Sequence, residues 1–261
     1  MDDVLDLSIE GAIATVTLNR PQAGNSLDLP LARALLQAAI RCDTDDKVRC
    51  VVLTGAGKLF CAGGDIGAFE SARDTMPALL SELAGTMHMA VSRFMRMPKP
   101  LLVLVNGPAA GAGLSLAIGG DIVIAARNAH FTAAYGAIGL SPDGGMSWLL
   151  PRLVGMRKAQ EMIIANRRVS ADEAEDIGLV TRTVDPADLA AEGAKQAAIL
   201  ANAATAAIGS ARALLLESYS GSFEGQLERE ARSISAMGGT EDAREGVDAY
   251  FARRQAAFAG K

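Results

Sequence analysis

An α/β fold is predicted for this chain by three observations. First, short apolar runs recur between turn residues: Cys50-Val51-Val52-Leu53-Thr54, Leu101-Leu102-Val103-Leu104-Val105 and Ile122-Val123-Ile124-Ala125-Ala126. Runs of that length without polar alternation read as strands buried on both faces of a parallel sheet. Second, segments between them carry apolar residues at helical spacing, such as Leu31, Leu35, Leu36 and Ile40. Third, two of the strands lead into glycine-rich turns, the usual way a strand hands over to a helix in such folds.

Taken in order, residues 4–18 read as two strands turning at Glu10-Gly11. Ile13, Thr15 and Thr17 alternate there with Ala14, Val16 and Leu18. Asn19-Arg20-Pro21 ends the second strand, and Asp28 caps a helix with Pro30 in its first turn. A strand is expected over 48–54. A helix is expected over 78–97, with Leu79, Leu80, Leu83, Met87, Val91 and Phe94 on one side and Pro98 as its stop. The strand over 101–105, a turn and an apolar helix follow, then a strand over 122–126. Glycines crowd 136–145, and helices are expected from about 146 to 178. Ser170-Ala171-Asp172-Glu173 reads as a capping box. A last strand is expected over 180–184, before a helical tail opened by Asp185-Pro186. The division expected is a core over 1–185 and a helical region over 186–261.

Composition narrows the function. The chain has 261 residues, half of them hydrophobic and only 4% aromatic, so a large core of small aliphatic side chains is available. A net charge of −5, with no basic cluster, speaks against nucleic acid as a partner. Three cysteines without a pairing pattern suit a reducing cytoplasm. The acidic start Met1-Asp2-Asp3 reads neither as a secretory signal nor as a transit peptide. Residues 101–120 carry no charge and are long enough to span a bilayer, but Asn106, Pro108 and five glycines break the continuity that a span needs.

The chemistry centres on the two glycine turns. Gly107, Gly111 and Gly113 follow the strand over 101–105 and open a helix, whose first N–H groups are unpaired. Gly55-Ala56-Gly57-Lys58 leads to Phe60-Cys61-Ala62-Gly63-Gly64-Asp65-Ile66. Two such turns can aim two N–H groups at one oxygen, which is the geometry of an oxyanion hole; two tight structural turns are the alternative. Dinucleotide and P-loop readings fail, because position 116 is Leu, position 52 is Val and Leu59 follows Lys58. With two histidines and no paired CxxC or HExxH, no catalytic metal is expected.

Taken together these runs resemble the crotonase (enoyl-CoA hydratase/isomerase) superfamily. The matching pieces include Asn19-Arg20-Pro21, Asn25-Ser26-Leu27, Phe60 to Ile66, Val105-Asn106-Gly107, Gly120-Asp121-Ile122 and Gly139-Leu140-Ser141-Pro142-Asp143-Gly144-Gly145. Leu150-Pro151-Arg152 and Glu245-Gly246-Val247 complete a match along nearly the whole chain. The resemblance implies a ββα superhelix with a C-terminal helical oligomerisation region, assembling trimers or hexamers. It implies an acyl-CoA thioester substrate and no separate cofactor, coenzyme A being part of the substrate.

It also implies roles for individual residues. The backbone N–H groups of Gly64 and Ala112 would hold the thioester oxygen, with Gly64→Ala expected to cost much less than Gly64→Pro. Ala62, Gly63, Asp65 and Ile66 would line the coenzyme A path, Asp65-Ile66 near its adenosine end, and Gly111 and Tyr135 join the substrate-binding set. The family's hydratases carry glutamates where this chain has Ser115 and Tyr135, which counts against ordinary hydration. Asp143 matches the carboxylate of acyl-CoA isomerases, where one acid moves a proton between two carbons; a turn aspartate is the alternative. His88 with Asp143 matches the pair of 4-chlorobenzoyl-CoA dehalogenases, though a partly buried bystander on its helix is the plainer reading. Arg253 and Arg254, with Tyr250 and Phe258, resemble the tail that meets coenzyme A; a solvated helix end is the alternative. Cys61 reads as packing. A catalytically silent binding protein of the same fold is the non-enzymatic alternative, against which the retained turns and Asp143 count.

Overall fold

Alternate side chains of the central strands enter two separate cores, which is why those runs show no polar alternation. The computed structural model describes residues 4–261, so the acidic start at Met1-Asp2-Asp3 lies outside the described residues. An antiparallel pair, β1 (Leu5–Glu10) and β2 (Ile13–Leu18), opens the fold. Helix α1 (Leu29–Thr44) follows, and its cap is the expected one: the Asp28 carboxylate accepts from Leu31 N–H at 2.9 Å. β3 (Cys50–Gly55) lies parallel to β2. After α2 (Ile66–Ala72) and α3 (Met76–Arg96), β4 (Leu101–Val105) runs parallel to β3, with Leu101 opposite Val51. β5 (Ala109–Ala110), α4 (Ala112–Ile118) and β6 (Ile122–Ala126) come next, β6 beside β4.

β7 (His130–Thr132), α5 (Met146–Val154), α6 (Met156–Ile164), β8 (Val169–Ser170), α7 (Ala171–Asp176) and β9 (Arg182–Val184) complete the spiral. The main sheet has the order β1-β2-β3-β4-β6-β9, and β5-β7-β8 form a small second one. The last strand starts two residues later than expected, because the N–H groups of Leu179 and Val180 turn back to the Ala174 carbonyl. The capping box is half made. Ser170 caps α7, but Glu173 reaches back past Ser170 to Arg167 in a two-bond pair at 2.7 and 2.8 Å.

One core lies between the sheet and α1, α3 and α4, and takes Val51, Leu53, Val103, Val105 and Val123. The other takes Val52, Leu102, Leu104 and Ile124, and is closed by Leu189, Ala197 and Ala201 of α8 (Leu189–Ala201). Packing therefore runs across position 185, and the second face of the sheet packs against α8 of the tail. Helix α9 (Thr205–Glu217) is pinned by Arg212, which is 8% exposed. Its guanidinium donates to the Asp121 carboxylate at 2.8 Å, to the Phe94 carbonyl at 2.9 Å, and to the carbonyls of Met97 and Lys99. Arg212→Met is expected to lower stability by about 3 kcal/mol, near the lower end for a broken buried pair because Asp121 keeps some solvent. The guanidinium-chloride midpoint measures it.

Two more helices, α10 (Phe223–Gly238) and α11 (Glu241–Ala252), end the chain. α10 buries no residue, and Phe223 and Ile234 stand 72% and 75% exposed on it. Among the described residues no single helix is long and apolar enough to cross a membrane. The pair α8 and α9 passes that test jointly, but it is bent by 99° and α8 lies on the sheet.

Candidate active site

The two glycine turns meet because nothing projects between them. Cys61 and Ala109 form a bridge, Ala110 N–H bonds to the Cys61 carbonyl at 2.9 Å, and Phe60 N–H bonds to the Pro108 carbonyl at 3.1 Å. A Cβ on Gly113 would stand 2.3 Å from that Cys61 carbonyl oxygen, so only glycine permits the approach. Asn25 holds the first turn from behind. Fully buried, it donates to the carbonyls of Ala56, Leu59 and Phe60 at 2.9, 2.8 and 3.1 Å, while its own oxygen accepts from Arg20 N–H at 2.8 Å. Cys61 is packed as expected: its thiol donates to the Asn25 carbonyl, and burial pushes its pKa up to about 12.

Gly64 sits in a parallel bridge with Leu27, whose bonds use Gly63 O and Asp65 N–H and leave the Gly64 N–H out. Ala112 is the first residue of α4, where an N–H has no intrahelical acceptor. Among the described residues neither N–H has a backbone partner. Both residues line one cavity of about 430 Å³, with Ala62, Gly63, Ile66, Gly111, Tyr135 and Asp143. Its apolar wall comes from Phe69, Leu80, Leu83 and Met87.

Asp143 is the one carboxylate lining that cavity among the described residues. It precedes Gly144 and Gly145, both left-handed at φ 61° and 85°. A Cβ on Gly144 would lie 2.8 Å from Ser115 Cβ, so the turn needs glycine twice over. Tyr135 Oη donates to Asp143 Oδ1 at 2.6 Å, and Ser115 Oγ donates to the Asp143 carbonyl at 2.9 Å. Ser115 and Tyr135 thus both bond to Asp143. Tyr135 is held well above the ordinary phenol range, first by burial and then by the adjacent Asp143 charge, so it stays a donor.

His88 stands against the same turn. Its Nε2 accepts from Gly144 N–H at 3.0 Å and lies 3.8 Å from Asp143 Oδ2, so the ring buttresses the turn that carries Asp143. Asp65 turns away from the cavity. Its Oδ1 caps α2 by accepting from Ala68 N–H at 3.1 Å, and its Oδ2 pairs with Arg20 at 3.0 Å and with Ser26. Burial works against that charge, but these donors outweigh it and hold the carboxyl below its usual range. Ile66 stands at the cavity, 53% exposed. Arg253 caps α11 in a left-handed conformation and does not reach the cavity of its own chain, while Arg254 is engaged by Glu245. Sequence reasoning missed Phe69, whose ring presses on Gly64: a Cβ there would meet Phe69 Cζ at 2.5 Å. Gly64→Ala therefore requires the Phe69 ring to shift.

The profile of the enoyl-CoA hydratase/isomerase family matches residues 8–261. The chain belongs to the crotonase family. This crotonase is 37% identical to the 1,2-epoxyphenylacetyl-CoA isomerase of Escherichia coli K12, over 97% of both chains. It is 32% identical to a 4-chlorobenzoyl coenzyme A dehalogenase of an Arthrobacter species, over 95% of this chain and 88% of that one. A crystal structure of an enoyl-CoA hydratase from Polaromonas sp. JS666 superposes with a TM-score of 0.93 at 32% identity, covering 97% of this crotonase and 99% of that chain. The match to the family profile and to these relatives along nearly the whole chain makes it an acyl-CoA enzyme of this family.

Proposed function

We propose that the protein is an acyl-CoA isomerase that shifts a double bond, or opens a ring epoxide, through a thioester enolate. The observation that carries this reading is Asp143, the single carboxylate among the described residues of a cavity that also presents the N–H groups of Gly64 and Ala112, which lack backbone partners among those residues. In the double-bond shift, Asp143 takes a proton from Cα of a 3-enoyl thioester, and the C–H electrons move into a dienolate. The two N–H groups hold the negative oxygen, each contributing roughly 3 kcal/mol in a dry site. Asp143 then returns the proton to Cγ, so no atom is gained or lost. Hydration has less support, because Ser115 and Tyr135 are committed to Asp143 instead of to water.

Dehalogenation is the second reading, favoured by His88 standing beside Asp143 and by the Arthrobacter relative. Against it, His88 Nε2 is taken up as an acceptor from Gly144, and the wall at Leu80, Leu83 and Met87 is aliphatic. Incubation with a panel of acyl-CoAs in deuterated water, followed by mass spectrometry, separates the readings. Label uptake without added oxygen supports isomerisation; gain of water or release of halide overturns it.

Coenzyme A arrives with the substrate, so no separate cofactor is invoked. Neither nucleic acid nor membrane enters as a partner in this reading, and three free buried thiols suit the cytoplasm. The unburied face of α10 supports assembly as a homotrimer or a dimer of trimers, in which Arg253 of one subunit would meet the coenzyme A of another. Sedimentation is expected at three or six subunits; an active monomer at nanomolar concentration would end that assignment.

A further inference from the structure

We infer that Tyr135 is a positioning residue for the proton transfer: it locks Asp143 Oδ1 and thereby makes Oδ2 the oxygen that carries the proton. This rests on the isomerase reading above and adds to it a second residue with a defined task. The first support is geometric. Tyr135 Oη donates to Oδ1 at 2.6 Å, a charge-assisted bond that fixes both the carboxylate's rotation and its proton-free oxygen.

The second support is what surrounds Oδ2. His88 is the basic side chain nearest to it, at 3.8 Å, and its Nε2 already accepts the Gly144 N–H. A nitrogen that accepts there carries no proton to offer Oδ2. Among the described residues Oδ2 has no hydrogen-bond donor, so its lone pairs are left for a substrate C–H in the cavity that Asp143 lines.

The third support is how firmly the tyrosine is held. Tyr135 opens a short 3-10 turn directly after Ala134, which sits at φ 66°, a left-handed conformation that alanine adopts only when its surroundings impose it. The Asn166 side chain supplies that constraint by accepting the Ala134 N–H at 2.7 Å, from a residue itself at φ 51°. Ser115 Oγ stands 3.4 Å from Tyr135 Oη and anchors the Asp143 main chain from the other side. Backbone strain at two places thus converges on the position of one phenol.

The test is Tyr135→Phe, which keeps the ring in the cavity wall and removes only the donor. The readouts are kcat and KM for deuterium uptake into the 3-enoyl-CoA that wild type exchanges fastest, with the unfolding midpoint measured alongside. Loss of one hydrogen bond to a charged group is expected to lower kcat about tenfold, with KM held within about twofold. A merely structural role lowers the unfolding midpoint and leaves kcat of the folded protein unchanged. An unchanged kcat overturns the inference, and so does a raised KM with kcat intact, which makes Tyr135 a substrate ligand. If Asp143→Asn, run alongside, retains full exchange, or no acyl-CoA exchanges with wild type, the isomerase reading itself falls and takes the inference with it.

Discussion

Asp143→Asn is expected to lower double-bond migration by at least about a hundredfold while acyl-CoA affinity changes little. The substitution keeps the size of the side chain, and the amide oxygen still accepts the Tyr135 hydroxyl, so the turn keeps its shape. What disappears is the oxygen proposed above to take up the proton. Because Asp143 is the one carboxylate lining the cavity among the described residues, no neighbour is placed to substitute for it. His88→Ala makes the contrasting variant. It frees the Gly144 N–H and loosens the turn, so a loss of less than about tenfold is expected, the scale of one hydrogen bond. Were the protein a dehalogenase, the same variant would accumulate a covalent intermediate on Asp143, seen as added mass on the intact chain. Full activity in Asp143→Asn would send the search for the base elsewhere.

Gly64→Pro is expected to reduce turnover by about a hundredfold or more, because proline removes an N–H proposed above to hold the thioester oxygen. Any side chain at 64 also meets Phe69, since a Cβ would stand 2.5 Å from Cζ of that ring. Steric and electrostatic losses are therefore mixed in the single variants, and a second substitution separates them. Measured against Phe69→Leu alone, adding Gly64→Ala should recover much of its loss, because room is restored and the N–H survives. Adding Gly64→Pro should recover little. Equal recovery in both would show that space, not the hydrogen bond, governs the position. The readout is kcat on one acyl-CoA, with binding followed separately.

How much of this was legible beforehand differs from element to element. The strands over 101–105 and 122–126 were read to the residue, since an uninterrupted apolar run has one stable outcome, burial on both faces of a sheet. The cap at Asp28 was equally local. The start of β9 and the second half of the Ser170 capping box were not. In both, a group that local pattern assigns to its neighbour finds a stronger or nearer partner: the Ala174 carbonyl in one case, Arg167 in the other. The same holds for Asp65, which carries a cavity motif in sequence but spends its carboxylate on Arg20, forty-five positions away. His88, read as a helix-face residue, is aimed by a contact fifty-six positions along the chain.

By itself the sequence determined the alternation of strand and helix, the two glycine turns and the presence of an acid in a Pro-Asp-Gly-Gly turn. These follow from side-chain period and from backbone conformations that only glycine adopts freely, and both are properties of a few consecutive residues. Only the tertiary structure decided that the turns meet, that α8 closes the second core, and that Ser115, Tyr135 and His88 all converge on the Asp143 turn. Those outcomes depend on which distant groups share a buried space. There a polar group must find a partner wherever the chain has brought one, because water is no longer within reach.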